Sequence, residues 1–208
     1  MENEKLDKIS YALGLSMGNN FKNSGITELN VGDFTDGVAA VFYGSQPKMS
    51  YAEAKQIIQN FFEEMQRKQQ EEAARMAQVN KSAGEAFLAK NGERAEVSTT
   101  QSGLQYEILV EGNGPKPTAA DQVEVHYTGT LIDGTVFDSS VERGVPATFG
   151  VTQVSPGWVE ALQLMPAGSK WRLFIPSNLA YGPQGAGPLI GPDATLIFDV
   201  ELLKVIGK

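Results

Sequence analysis

The residues in this chain most able to form a chemical site are aromatic. Tyr127, Phe137, Phe149, Trp158, Trp171, Phe174, Tyr181 and Phe198 crowd into its second half with few polar companions. On composition alone they read as the core of a β-rich domain. Other chemistries lack their usual groups. The chain has no cysteine, which removes disulfides, thiolate metal sites and cysteine nucleophiles. His126 is the only histidine, and one imidazole cannot supply the His pairs common in zinc enzymes. It sits in the alternating run Val123-Glu124-Val125-His126-Tyr127 and reads as a strand residue with a structural hydrogen bond. The glycine-rich run Gly182-Pro183-Gln184-Gly185-Ala186-Gly187 lacks the Lys-Ser/Thr of a phosphate loop. No nucleophile elbow marks a Ser-His-Asp set. A net charge of −8 opposes a groove that tracks nucleic-acid phosphates.

The elements that must position these residues fall into two textures. Leu6, Ile9, Leu13, Met17 and Phe21 form one face of a helix, and Val31, Phe34, Val38, Val41 and Phe42 repeat the pattern. Gly14 and Gly18, four apart, suit close helix–helix contact. Ser50-Tyr51-Ala52-Glu53 fits a capping box, and Asn91-Gly92 fits a helix stop. The helix between them would be roughly 60 Å long. It is apolar from Ala54 to Met65 on one face, and it has no apolar residue from Gln66 to Glu72. A stretch polar all round predicts a solvent-exposed bridge that holds the following domain away. Glu63–Arg67, Glu64–Lys68 and Glu71–Arg75 are spaced for helical ion pairs. After Val97 the texture is β, with Asp133-Gly134 as a hairpin signal and Pro156–Leu164 as the single helical candidate. The expected domains are 1–49 helical, 50–92 long helix, 93–101 linker and 102–208 β-rich. The first 45 residues bury too little surface to stand alone, so a second copy should cover their apolar faces.

Several blocks resemble one family in its order and spacing. They are Val125-His126-Tyr127-Thr128-Gly129, Asp133-Gly134-Thr135-Val136-Phe137-Asp138-Ser139-Ser140, Pro156-Gly157-Trp158, Met165-Pro166-Ala167-Gly168-Ser169-Lys170, Leu179-Ala180-Tyr181-Gly182, and the run from Ala194 to Leu203. Together they resemble the FKBP-type prolyl isomerases over about 102–206. The N-terminal half is similar to the dimerisation arm of the bacterial Mip-like branch. The resemblance implies an α+β protein: an all-helical dimerisation arm, a long linking helix, and an antiparallel sheet wrapped around one short helix. It also implies a site. A proline ring would rest on Trp158, with Tyr127, Phe137, Val154, Ile190 and Phe198 as walls and Phe149 at the edge. The Tyr181 hydroxyl and the Ser155 backbone N–H would donate to substrate carbonyls, and Asp138 would pair with Arg143 and the Tyr127 hydroxyl. Two positions depart from the best-known single-domain members. Ala147 follows Pro146 where an aromatic residue is usual, and Leu189-Ile190-Gly191-Pro192 has Gly191 in place of one proline of a pair. Both bear on affinity for macrolides such as rapamycin.

The implied activity is isomerisation of Xaa-Pro peptide bonds in folding chains, by a homodimer without cofactor or metal. No proton or covalent bond has to move in such a reaction, so the missing nucleophile is no obstacle. A non-enzymatic chaperone and a purely structural dimerisation protein are the rival readings. No run approaches the length of a transmembrane span. Met1–Lys5 is polar and acidic, with no apolar run behind it, so no secretory signal is expected. The expected location is cytoplasmic, or periplasmic if the chain is a processed form.

Overall fold

The computed structural model describes residues 6–207; the acidic start Met1–Lys5, read above for a signal, lies outside the described residues. The chain divides into two compact units, Met1–Glu63 and Glu64–Lys208.

In the first unit, α1 spans Lys8–Asn23 and α2 spans Val31–Tyr43. Each begins at a side-chain cap that satisfies otherwise orphaned N–H groups. Asp7 accepts from the N–H of Ile9 at 3.0 Å, and Asn30 accepts from that of Asp33 at 3.1 Å. Helix α3 spans Tyr51–Asn91, and the Ser50 hydroxyl accepts from the Glu53 N–H at 3.1 Å. Neither α1 nor α2 contains a buried residue. Phe21 and Phe34 meet edge to face at 5.5 Å, yet Ile9 and Leu13 on the apolar face of α1 stay 75% and 63% exposed. A Cβ added at Gly14 or Gly18 would meet nothing within 4 Å.

The second unit is built on a seven-stranded, wholly antiparallel sheet. Its strands are β1 (Val97–Thr99), β2 (Gln105–Val110), β3 (Gln122–Leu131), β4 (Val136–Ser139), β5 (Ala147–Gly150), β6 (Lys170–Ile175) and β7 (Leu196–Ile206). Their order is β1-β2-β6-β7-β3-β4, and β5 also pairs with β3. The stretch 93–101, expected to be a linker, contains β1, whose Ser98 faces Tyr106 of β2. Three residues with no hydrophobic alternation carry too little pattern to read as a strand. Helix α4, Pro156–Leu164, packs on the core side of the sheet. It buries Trp158, Ala161 and Leu162 against Val123, Val125, Leu173, Ile175, Val200 and Leu202. The period of two sends Trp171, Leu173 and Ile175 of β6 into this core. Trp171 stacks on Tyr106 at 4.4 Å, in keeping with a packing role.

The other side of β6 anchors the C-terminal end of α3, the helix expected to link the two parts of the chain. Phe174 points away from the core and is only 3% exposed, because Phe87 of α3 covers it with ring centroids 5.9 Å apart. One turn on, Asn91 donates to the Gln105 side chain at 2.8 Å, and Gln105 donates to the Leu88 carbonyl at 2.9 Å. The polar stretch Gln66–Glu72 is exposed as expected. The helix beyond it is docked on the sheet. Of the expected ion pairs in this unit, Lys68–Glu64 forms at 2.9 Å, whereas Arg67 turns to Glu71 and Arg75 to Glu72. Neighbours three and four residues away on either side are equally in reach, so spacing alone does not choose the partner.

Candidate active site

The site is assembled where β3, β4, α4 and β7 converge. Ser155 is the N-cap of α4 and Pro156 opens its first turn, a position where a missing N–H costs nothing. That turn carries Trp158 inward until only 5% of it is exposed. Three rings meet the indole close to edge to face: Phe198 of β7 at 5.2 Å, Tyr127 of β3 at 5.6 Å and Phe149 of β5 at 5.7 Å. Phe137 of β4 adds a fourth ring, perpendicular to Phe198 at 5.4 Å. This geometry suits the ring quadrupoles and holds each aromatic in one orientation. Gly129 makes it possible. It faces Phe198 and Asp138 across the sheet, and a Cβ there would lie 2.6 Å from the Phe137 ring and 2.7 Å from the Phe198 ring.

Above Trp158 opens a cavity of about 810 Å³. Tyr127, Phe137, Asp138, Trp158 and Phe198 form its inner wall, and Phe149, Val154 and Ser155 form one side. Tyr181, 45% exposed, and Ile190 stand on the other. Arg143 does not line the cavity but reaches the carboxylate that does. The aromatic cluster read from composition therefore divides: Trp171 and Phe174 belong to packing, and the other six line the cavity. Six lining positions, Gln153, Ala180 and Ala186–Leu189, were not assigned to the site from the sequence. The glycine and proline content of 182–192 marked an irregular loop, but nothing in it told which face the loop would turn inward.

One charge lies in this apolar wall, and it is fixed on both sides. The Tyr127 hydroxyl and the Arg143 guanidinium each hydrogen bond to the Asp138 carboxylate. Arg143 also donates to the Tyr127 oxygen at 3.0 Å and lies over its ring at 5.7 Å. Partial burial pushes the Asp138 carboxyl upward, but the two hydrogen bonds and the Arg143 charge outweigh it and hold the group below the usual carboxylate range. Burial raises the Tyr127 phenol, and its bond to the ionised Asp138 raises it further. The phenol thus keeps its proton as a fixed donor, and the carboxylate stays ionised at neutral pH. Neither is placed to transfer a proton there. His126 is occupied with Ser140, its Nδ1 3.1 Å from the hydroxyl. Among the described residues no group of three metal-ligating side chains comes together. The arrangement can hold a compact apolar ring on an indole floor, beside one fixed dipolar edge.

Comparison with known proteins bears on both units. The family model described as FKBP-type peptidyl-prolyl cis-trans isomerase matches residues 114–203, and the model of the domain amino-terminal to it matches 6–108. The outer membrane protein MIP of Legionella longbeachae is 47% identical over 96% of this chain and 85% of its own length. The FKBP-type 22 kDa peptidyl-prolyl cis-trans isomerase of Escherichia coli is 43% identical over 95% of this chain and 94% of its own. The crystal structure of FkpA from Escherichia coli superposes with a TM-score of 0.73 at 38% identity, covering 98% of both chains.

Proposed function

This chain belongs to the FKBP-type peptidyl-prolyl cis-trans isomerase family, and on that premise we propose that the cavity above Trp158 is where it turns Xaa-Pro bonds. The chain is an isomerase of that type. The observation that carries the assignment of the site is the buried indole ringed by Tyr127, Phe149 and Phe198 beneath a cavity whose one acidic group is already paired.

Rotation about a peptide C–N bond must break amide resonance, which sets a barrier of about 18–20 kcal/mol. The planar amide carries more charge separation than the twisted one. An apolar wall that takes the proline ring and removes water therefore disfavours the planar form relative to the twisted one, and only such differential binding lowers a barrier. Trp158 is the floor for the ring, and Phe137 and Phe198 complete it. Asp138, locked by Tyr127 and Arg143, fixes the position of the Tyr127 ring. The Tyr181 hydroxyl at the rim and the Ser155 N–H at the start of α4 are the groups assigned to substrate carbonyls. Turnover of an Xaa-Pro tetrapeptide tests the assignment, and loss of that turnover in Trp158→Ala locates it.

The helical unit supports a finer reading. Helices α1 and α2 bury nothing, and the Gly14–Gly18 edge faces open space. We assign these faces to a second copy of the chain, so that two cavities act on one folding polypeptide as a folding helper. Uncatalysed isomerisation takes tens to hundreds of seconds, slow enough for such help to matter. Rapamycin-like macrolides suit the same apolar floor. A cytoplasmic location is the reading carried forward; cell fractionation decides it, against the outer-membrane name of the Legionella longbeachae relative.

A further inference from the structure

Helix α3 touches more than the sheet. Met76, Asn80, Gly84, Phe87 and Asn91 are spaced four, four, three and four residues apart, so they share one helix face. The lower part of that face, Phe87 and Asn91, meets β6 and β2 as described. The upper part meets the back of the loop whose front lines the cavity. In this loop Ala186 and Ile190 exchange backbone hydrogen bonds at 2.9 and 3.2 Å, and the Asp193 N–H closes its base on the Gly182 carbonyl at 2.8 Å. Its inward residue, Ile190, is 8% exposed.

Three contacts hold α3 to this loop. The Asn80 amide donates to the Pro192 carbonyl at 2.8 Å. A Cβ at Gly191 would lie 3.0 Å from the Asn80 amide nitrogen and 3.1 Å from the Met76 sulfur. A Cβ at Gly84 would lie 2.2 Å from the Thr195 hydroxyl, so the helix axis sits as near the loop's end as a glycine permits. The bond from Asn80 is on Pro192 and the close approach is at Gly191, both within two residues of the wall residue Ile190. Gly191 is the position where the sequence departs from a paired proline, and the approach of α3 gives that departure a physical reason. A pyrrolidine ring at 191 would occupy the space that Met76 and Asn80 fill.

We propose that the Met76–Gly84 face of α3 braces this loop from behind, and that Asn80 is a positioning residue for the Ile190 wall of the substrate cavity. The proposal rests on the cavity being the isomerase site. Asn80 touches no reacting atom. It acts by fixing Pro192, which fixes Gly191 and through it Ile190, so the loop presents one wall and not a range of walls. Gripping strength therefore depends on a helix outside the isomerase fold itself.

The test uses the full-length chain and a Leu-Pro tetrapeptide. Asn80→Asp keeps the size but sets a carboxylate against the Pro192 carbonyl. Gly191→Ala inserts a wedge at the contact. Each should lower kcat/KM by about three- to tenfold, the span expected for one lost hydrogen bond or its equivalent, with the loss in KM and kcat held within about twofold. Adding Met76→Ala to Gly191→Ala removes one of the two side chains the new methyl would meet and should recover part of the loss, a coupling that a double-mutant cycle reads directly. Wild-type kcat/KM in both single variants would overturn the brace. So would a loss that Met76→Ala fails to relieve, or one that only follows a falling Tm. Trp158→Ala runs beside them: if it too keeps full activity, the cavity assignment falls; if it alone loses activity, only the brace falls.

Discussion

Truncating Phe87 to alanine should destabilise the isomerase unit without touching its cavity. Phe87 lies on α3, about two turns beyond Asn80, and its ring covers Phe174 at 5.9 Å. A fully buried Phe→Ala change costs about 3–5 kcal/mol. Phe87 is only partly buried, so about half of that, roughly 2 kcal/mol, is the expected loss. Part of the loss comes from Phe174, 3% exposed in the native protein, which would face water on the side that Phe87 leaves. For a domain of about 150 residues, each kcal/mol moves Tm by roughly 2–4 °C, so the midpoint should fall by about 4–8 °C. Scanning calorimetry of the full chain, with unfolding of the sheet followed in parallel by the fluorescence of the buried Trp171, measures it. An unchanged midpoint would mean that α3 stands off in solvent, as its polar middle suggested, and the docked face of the helix would have to be abandoned.

Three further predictions concern the fixed carboxylate and the helical arm. Asp138→Val should lower peptide turnover by roughly tenfold with the fold retained, because Tyr127 and Arg143 lose the group that orients them; circular dichroism and the peptide assay separate these outcomes, and an unfolded variant would make Asp138 structural. Because the folded-state pKa of Asp138 is depressed, the stabilisation from its pair is complete above the ordinary carboxylate range and is lost as pH falls through the lower folded value. Turnover should therefore be level between about pH 5 and pH 8, and a step in that window would assign the titration to another group. Replacing Leu13 and Met17 with Asp should convert a dimer to a monomer in sedimentation while leaving tetrapeptide turnover per chain unchanged, since both side chains are on the exposed face of α1. An unchanged sedimentation coefficient for a dimeric parent would move the interface elsewhere.

Much of this was legible in the residues, for identifiable reasons. Helix α3 begins after Ser50 and ends before Gly92 because a cap and a stop are chemical signals independent of tertiary context. The turn between β3 and β4 follows from Asp133-Gly134, where Gly134 adopts φ 89° and the Asp133 side chain accepts from the Thr135 N–H at 2.9 Å. What periodicity missed was never apolar enough to register. The docking face of α3 sets Met76 and Phe87 among Asn80, Gly84 and Asn91, two amides and a glycine, so its two apolar side chains lie about three turns apart and form no hydrophobic stripe. Strand β1 is three residues of polar and β-branched character, and β5 follows a proline in a loop. At the site, the aromatic residues were recognisable by motif. The loop 186–189 and Gln153 reach the cavity through the path of the backbone, which no residue type declares.

Turnover of a Leu-Pro or Phe-Pro tetrapeptide in the presence of EDTA tests whether rotation of an Xaa-Pro bond occurs on the indole of Trp158. The wild-type chain should accelerate the cis-to-trans step. Trp171→Phe, altered in the packed core beside Tyr106, should keep that rate, since its ring lies outside the cavity. Trp158→Ala removes the floor against which a proline ring buries its apolar surface, worth about 1.5–3 kcal/mol, and should lose roughly tenfold to a hundredfold in kcat/KM. A wild-type rate equal to the uncatalysed one would contradict catalysis by this chain, and a Trp158→Ala chain as fast as the wild type would place the rotation away from the indole.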